Sequence, residues 1–248
     1  MKQNKTIAII GAPVDYGSRL RGCLMGPDAM RVAGLVEVLQ ELGYAVSDYG
    51  NTHPAKLSRS VPQVSHVKNL SDSIAWTQSL KETTQEIAKQ GHFPLILGGD
   101  HSLAMGTVTG LCAHAAHLER PLFILWLDAH TDFNTFETSP SGNIHGMPVS
   151  FFCGLPGFDG VLEAELEHKV DPKNICMMGI RSVDDSERKM VNECGITVHD
   201  MRTIDEHGVV PPLREFLARV RAENGLLHLS FDVDFLDPDI APAVGTQV

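Results

Sequence analysis

Three short segments of the sequence carry side chains that could bind metal ions. They contain four carboxylates and two imidazoles, which belong to His101, Asp128, His130, Asp132, Asp232 and Asp234. Within residues 128–132 and 232–234 these side chains alternate along the chain. Because a strand points every second side chain to one face, the members of each segment lie on one side if the extended backbone persists.

Each of the three segments follows a short apolar run, at residues 93–97, 122–127 and 226–231. Such runs are typical of buried strands in a parallel sheet. The carboxyl ends of parallel strands meet at one edge of the sheet, which is where α/β proteins bind ligands. We therefore expect the six side chains to converge at this edge.

Six such groups crowded together repel each other and lose solvation unless cations neutralise them. Two divalent ions bridged by one or two of the carboxylates resolve this problem, and such a pair can generate hydroxide for hydrolysis near neutral pH. Mixed oxygen and nitrogen ligands without thiolate favour manganese, with iron, cobalt and nickel as chemical rivals. Alone, an Asp-x-Asp pair is typical of a cap and His101 could be an interior histidine; together, the three segments favour metal.

Composition excludes several other functions. The net charge of −11 and the absence of a basic cluster argue against nucleic acid or an anionic membrane as the main partner. Five dispersed cysteines indicate reduced, mostly buried thiols rather than a disulfide framework. No signal peptide or bilayer-spanning run is present, so a cytoplasmic protein is expected.

Strand and helix patterns alternate along the whole chain. Strands are predicted at residues 6–10, 44–48, 93–97, 122–127, 175–179, 196–199 and 226–231. Helices are predicted at residues 27–42, 69–89, 103–117, 147–153, 185–194 and 209–222. This order predicts a three-layer α/β/α fold with a mostly parallel, twisted sheet. No repeat or linker divides the chain, so residues 1–248 are expected to form one domain.

Several motifs resemble those of the arginases within the ureohydrolase superfamily. The three metal segments, Gly98-Gly99-Asp100-His101-Ser102, Asp128-Ala129-His130-Thr131-Asp132 and Ser230-Phe231-Asp232-Val233-Asp234, are similar to the signatures of the superfamily. The loop Ser141-Gly142-Asn143-Ile144-His145-Gly146-Met147-Pro148 resembles the arginase form. Asp15-Tyr16-Gly17 and the segment at residues 21–27 also look like arginase. The resemblance covers the whole chain.

The resemblance implies a hydrolase with two manganese ions that converts L-arginine to L-ornithine and urea. One ion would be held by His101, Asp128, Asp132 and Asp232, and the other by His130, Asp128, Asp232 and Asp234, with Asp128 and Asp232 bridging. A bridging hydroxide, oriented by Asp132, would attack the guanidinium carbon. His145 would shuttle protons, although on its own it would be interpreted as an exposed loop histidine.

The resemblance also implies a set of substrate contacts. Asn134, Ser141 and Asn143 would bind the α-carboxylate, and Asp184 would meet the α-ammonium. His130 and Thr246 are further candidate contacts. Glu187 is a weaker candidate for the ammonium end, with helix capping as its alternative.

The arginase pattern continues beyond Val248, where this sequence stops. By resemblance, a strand, helices and a glutamate facing the guanidinium group are missing, so a truncated fold and poor turnover are expected. Two alternatives stay open. The first is a related ureohydrolase of the agmatinase or guanidinobutyrase type, and the second is a metal-binding, oligomer-forming remnant with little activity. The family resemblance also implies a homo-oligomer, either a trimer or a hexamer.

Overall fold

Seven parallel strands form the framework of the protein in a computed structural model that describes residues 5–18, 21–58, 60–162, 165–246 and 248. The strands are β1 (Ile7–Ala12), β2 (Val46–Asn51), β3 (Phe93–Gly98), β4 (Leu122–Leu127), β5 (Ile175–Ile180), β6 (Thr197–Asp200) and β7 (Leu226–Phe231). All described pairings between these strands are parallel. The α/β class and the parallel arrangement predicted from the sequence are therefore confirmed.

Eight α-helices of the described chain alternate with these strands. They are α1 (Gly26–Val32), α2 (Leu35–Glu41), α3 (Leu70–Lys89), α4 (Ala104–His117), α5 (Pro148–Phe152), α6 (Asp185–Cys194), α7 (Met201–His207) and α8 (Val210–Ala222). No helix in this part of the chain is both long and apolar enough to cross a membrane.

The strands divide between two sheets. The order is β2-β1-β3 in the first sheet and β6-β5-β4-β7 in the second. The two edge strands β3 and β7 meet near their carboxyl ends, where His101 Nε2 lies 2.8 Å from Ser230 Oγ. The sequence predicted one sheet; among the described residues no strand pairs with both β3 and β7, so two sheets result.

Alternate side chains of β4 and β5 pack on opposite faces of the second sheet. Ile124 and Trp126 belong to the largest apolar cluster of the protein, which includes residues of α4 and α5. Phe123 and Leu125 pack instead with Phe216 of α8. Burial on both faces explains why β4 is an uninterrupted apolar run in the sequence.

The corresponding face of β7 is only partly covered. Three side chains of β7 lie on the same face of the sheet as Phe123 and Leu125, as the register of β4 and β7 shows. They are exposed to solvent by 42% for Leu227, 54% for Leu229 and 48% for Phe231. Their apolar character made the run at residues 226–231 look fully buried. The strand itself forms over these predicted residues, because its backbone pairs with β4 along its whole length.

One predicted helix was wrong, and one observed helix was not predicted. The predicted helix at residues 27–42 is broken into α1 and α2 because Gly34 adopts a left-handed conformation with φ 88°. No helix was predicted at α7, which begins after Asp200. The Asp200 carboxylate accepts a hydrogen bond of 2.8 Å from Thr203 N and thereby caps this helix.

The five cysteines are free, as predicted.

Candidate metal centre and substrate pocket

The candidate site lies at the carboxyl ends of β3, β4 and β7. Each of these strands ends immediately before a segment that carries predicted ligands. The backbone N–H of Asp232 donates to Leu127 O at 2.9 Å, which aligns the segment after β7 with the segment after β4. The structure thus brings the six side chains together at the sheet edge; their roles as ligands stay a prediction.

The first group of side chains surrounds the imidazole of His101. Its Nδ1 atom lies 2.9 Å from Asp128 Oδ2, 3.3 Å from Asp132 Oδ2 and 3.2 Å from Asp232 Oδ2. His101 and Asp128 are almost completely buried, whereas the side chain of Asp232 is 29% exposed. Three carboxylates from two different strand ends therefore converge on one ring nitrogen.

The second group surrounds His130 on the other side of Asp128. His130 Nδ1 lies 3.1 Å from Asp234 Oδ2 and 3.4 Å from Asp128 Oδ1. Asp128 consequently presents one oxygen to each imidazole. This is the arrangement that a carboxylate bridging two cations requires.

Short backbone hydrogen bonds hold the ligand segments in place. His130 N donates to Asp128 Oδ1 at 2.7 Å, and Asp234 N donates to Asp232 Oδ1 at 3.0 Å. The two segments are joined by Ala129 N, which donates to Asp234 Oδ1 at 3.1 Å. Each acidic side chain in these bonds keeps its second oxygen for other contacts.

The polar atoms at the centre of the site fit divalent cations. His101 Nδ1 and Asp128 Oδ2 are buried, and neither makes a well-aligned hydrogen bond with any group in the described part of the chain. The ligand atoms of His101, Asp128 and Asp232 lie within 4.8 Å of one another, as do those of Asp128, His130 and Asp234. Oxygen and imidazole donors at this spacing suit two divalent transition-metal ions.

Burial and mutual repulsion shift the pKa values of the metal-free site. Burial raises the pKa of Asp132 to about 8, with the negative charge of Asp128 adding to the effect. Burial lowers the pKa of His130, but Asp128 and Asp234 outweigh it and raise the value to about 10. Burial likewise opposes ionisation of Asp128, but the neighbouring imidazoles lower its pKa below the usual range.

These shifts predict that cations displace protons from the site. At pH 7 the metal-free site keeps a proton on His130 and on Asp132, since both pKa values lie above 7. A metal ion needs the deprotonated form of both groups, so its affinity falls as the pH falls. We expect Mn²⁺ titration at neutral pH to release protons, measured by calorimetry in two buffers of different ionisation enthalpy.

The control for this experiment is His130→Asn, which removes one titrating group and reduces the number of protons released. An affinity for Mn²⁺ that does not change between neutral and mildly alkaline pH, with no proton release, contradicts this assignment of the protons.

Two residues that were not predicted to contact His101 orient its imidazole. Trp126 stacks on the imidazole with a ring separation of 4.1 Å and an interplanar angle of 7°. Ser230 Oγ lies 2.8 Å from His101 Nε2. If the imidazole proton is on Nε2, it is donated to Ser230 Oγ, and Nδ1 keeps its lone pair free to bind a metal ion. Ser230 lies two residues before Asp232, so the two-residue period of a strand could have identified it.

Arg181, at the end of β5, connects the same two ligand segments. Its backbone N–H donates to Ala129 O at 2.9 Å, between two predicted ligands. Its guanidinium group donates to the backbone oxygens of Asp234 and Leu236, the latter at 3.2 Å. This role could not be predicted from the sequence, because the bonds go to backbone atoms distant in the chain.

Glu187 anchors the loop after β4 from helix α6. It is 6% exposed, and one oxygen accepts hydrogen bonds from Phe133 N at 2.7 Å and from Thr131 Oγ1 at 2.9 Å. The other oxygen accepts from Asp184 N at 3.2 Å. The capping alternative is confirmed by a capping box at the start of α6, and substrate binding by Glu187 stays a prediction.

Replacing Glu187 should therefore destabilise the fold. Glu187→Ala leaves the buried N–H of Phe133 without its acceptor, at a cost of about 1–3 kcal/mol in the free energy of unfolding. Glu193→Ala is the matched control, because Glu193 lies on α6 with a side chain that is 63% exposed. We expect urea denaturation to show a lower midpoint only for Glu187→Ala; equal midpoints for the two variants contradict the anchoring role.

His145 lies in the loop before α5, close to the metal side chains. Its backbone N–H donates to Gly17 O at 3.2 Å, which ties this loop to the segment after β1. Burial lowers the pKa of its imidazole, and the positive charges of His130 and His101 lower it further. The carboxylates of Asp100 and Asp232 oppose this effect but do not outweigh it. The imidazole is therefore neutral at pH 7 and able to accept a proton.

The predicted carboxylate-binding residues lie on the connection between β4 and α5. Asn134 Nδ2 donates to Asp184 Oδ2 at 3.1 Å, so Asn134 and Asp184 are neighbours. Asn143 N donates to Ser141 Oγ at 3.2 Å. Asn143 Oδ1 accepts from Lys68 Nζ at 3.1 Å, a contact that the sequence analysis did not predict.

Thr246 is half-buried near the amino-terminal loop. A side-chain carbon built on its neighbour Gly245 would lie 3.6 Å from Cys23 Sγ and 3.7 Å from Ser18 Oγ. Burial raises the pKa of the Cys23 thiol, and the charges of Asp100, Asp15 and Asp232 raise it further, so this region lies near the candidate metal centre. A direct contact of Thr246 with substrate stays a prediction.

Comparison with known proteins identifies close relatives. Residues 5–248 match the family model described as Arginase family. The chain is 52% identical to an arginase of Agrobacterium fabrum, over 98% of this chain and 75% of that protein.

Solved structures of arginases have the same fold. The crystal structure of an arginase from Bacillus subtilis superposes with a TM-score of 0.87 at 41% identity, covering 98% of this chain and 80% of that one. An arginase from Entamoeba histolytica, solved in complex with L-ornithine, superposes with a TM-score of 0.83 at 29% identity, covering 96% and 79%. This chain thus spans about three quarters to four fifths of the length of these relatives.

Proposed function

This chain belongs to the arginase family, and we propose that its metal centre hydrolyses the guanidinium group of L-arginine to give L-ornithine and urea. The observation that carries the proposal is Asp128, which faces His101 with one oxygen and His130 with the other. Curated relatives named arginase, at up to 52% identity, support the same reaction.

We propose manganese as the metal, with two ions per chain. One ion is assigned to His101, Asp128, Asp132 and Asp232, and the other to His130, Asp128, Asp232 and Asp234. When bound, two such ions supply positive charge next to the substrate and acidify a water molecule. Their positive charge also removes the repulsion between the four carboxylates.

The residues of the chain orient the reacting groups and move the protons. Asp132 is buried beside His101 and is assigned to hold the attacking oxygen by a hydrogen bond. His145, neutral at pH 7, is assigned to carry a proton between the pocket and solvent.

Substrate recognition is assigned to the β4–α5 connection and the start of α6. Asn134, Ser141 and Asn143 donate to the α-carboxylate, and Asp184 attracts the α-ammonium. The hydrogen bond between Asn134 and Asp184 supports this division, because it places an acidic group next to a carboxylate-binding amide. His130, Glu187 and Thr246 are retained as further candidate contacts.

The proposed substrate preference is tested by comparing the rates of urea release from L-arginine and from agmatine, which lacks the α-carboxylate. We expect the chain loaded with Mn²⁺ to release urea faster from L-arginine. Faster release from agmatine would instead assign the chain to an agmatinase-type activity. Binding of Mn²⁺ without urea from either compound would favour a metal-binding remnant.

Cytoplasmic location and assembly into a trimer or hexamer are proposed on the resemblance to the family. Sedimentation of the metal-loaded chain tests the assembly.

A further inference from the structure

Residues 66–68 pack against the loop that carries the predicted carboxylate ligands. Lys68 N donates to Gly142 O at 3.0 Å, and His66 Nε2 contacts Phe136 O. Gly142 has a φ of 67°, and a side-chain carbon there would collide with His66 O. The backbone of Lys68 is therefore held at a fixed position relative to Asn143.

The side chain of Lys68 extends from this position to Asn143. Lys68 Nζ donates to Asn143 Oδ1 at 3.1 Å. Because the amide oxygen of Asn143 is used in this way, its NH₂ group is oriented to donate elsewhere. An ammonium group and an amide donor thus lie side by side on the loop that carries the predicted carboxylate ligands.

The other end of the same connection has the opposite charge. Asn134 Nδ2 donates to Asp184 Oδ2 at 3.1 Å, so one amide of the loop is paired with a carboxylate and the other with an ammonium. An α-amino acid carries a carboxylate and an ammonium on one carbon, which complements this pair. A decarboxylated analogue has no group for the cationic end.

We propose that Lys68 is a specificity-determining residue that supplies the positive charge for the α-carboxylate of the substrate. This inference rests on the proposed hydrolysis of L-arginine. The ammonium attracts the carboxylate into hydrogen-bond distance of Asn143 and so favours amino acids over the corresponding amines. The charge acts on binding and takes no part in bond cleavage, so it affects KM and leaves kcat nearly unchanged.

The test replaces Lys68 with Met, which removes the charge and keeps a long side chain. Urea release is measured with the Mn²⁺-loaded full chain, and L-ornithine and putrescine are used as inhibitors. We expect Lys68→Met to raise the KM for L-arginine about tenfold, as expected for the loss of one charged contact. The inhibition constant of L-ornithine should rise in parallel, while that of putrescine, which has no carboxylate, should not change.

Two control variants separate charge from loop structure. Lys68→Arg keeps the positive charge and should restore most of the affinity for L-arginine. Lys89→Met, at the exposed end of α3, should leave all constants unchanged. The KM of the unaltered chain should also rise with salt more steeply than that of Lys68→Met, because exposed charges are screened.

The possible failures are distinguishable. Normal hydrolysis of L-arginine by the unaltered chain, with an unchanged KM in Lys68→Met, overturns the role of Lys68 alone. Equal weakening of L-ornithine and putrescine binding in Lys68→Met also overturns it, because the charge of Lys68 would then not distinguish a ligand with an α-carboxylate from one without. No urea from L-arginine in the unaltered chain overturns the proposed function and the role of Lys68 together.

Discussion

Asp128→Ala is expected to abolish most of the arginine hydrolysis and to remove at least one metal ion per chain. Asp128 is 1% exposed and offers one oxygen to the His101 group and the other to the His130 group. Removing it deletes the proposed shared ligand and leaves both imidazoles facing one carboxylate fewer. Loss of one preorganised electrostatic group costs about a hundredfold or more in kcat, and here both metal positions are affected.

Metal analysis and urea release measure this effect side by side. Asp128→Asn serves as a second variant of similar shape, in case the alanine leaves a cavity that unfolds the site. Asp205→Ala, on the exposed surface of α7, is the control and should keep both ions and full activity. If both Asp128 variants retain two ions per chain, the assignment of Asp128 as the bridging residue is contradicted.

His145→Asn is expected to lower kcat by about a hundredfold, since positioned proton transfer contributes at least that much in many enzymes. The variant should keep its manganese, because His145 lies outside both groups of ligand atoms. Its KM for L-arginine should stay close to that of the unaltered chain, because the imidazole is assigned to proton movement and not to binding.

The matched control is His117→Asn at the exposed end of α4, which should leave kcat unchanged. Loss of metal from His145→Asn would mean that the imidazole is itself a ligand. An unchanged kcat would exclude the shuttle role.

The strands that carry the site could be predicted because their signal is local. Residues 122–127 and 226–231 are apolar runs that end at acidic segments, and the structure places β4 and β7 over the same residues. The extended backbone assumed for the ligand segments does not persist, because Asp132 has a φ of 46° and Val233–Phe235 form a 3-10 turn. Asp128 and Asp132 nevertheless both reach His101. Parallel pairing of β4 with β7 brings the ends of these two strands together, whereas β3 lies in the other sheet and reaches the site where His101 contacts Ser230.

The boundaries of helices were harder to predict where one residue decides them. The apolar positions of residues 27–42 keep a helical period, yet the left-handed backbone of Gly34 ends α1 and starts α2. Asp200 and Thr203 form a capping pair that was present in the sequence but stood next to a predicted strand. In both places a local backbone preference outweighed the periodic pattern.

The residues that support the site could be found only with the structure. Arg181 donates to backbone oxygens more than fifty positions away, and Lys68 contacts Asn143, which lies 75 positions further along the chain. Such contacts depend on how loops pack in three dimensions, and the periodic pattern of apolar residues in a sequence carries no information about that packing. Trp126 looked like an ordinary core residue, and its stacking on His101 became visible only in three dimensions.

We propose that two metal ions at the Asp128 site make this chain hydrolyse L-arginine. The most direct test strips the chain of metal with a chelator, adds Mn²⁺ in known ratios and measures urea from L-arginine at each step. We expect no urea from the stripped chain, and the highest rate that this chain reaches only as the second equivalent binds. Full activity in the stripped chain, or none with two ions bound, would contradict it.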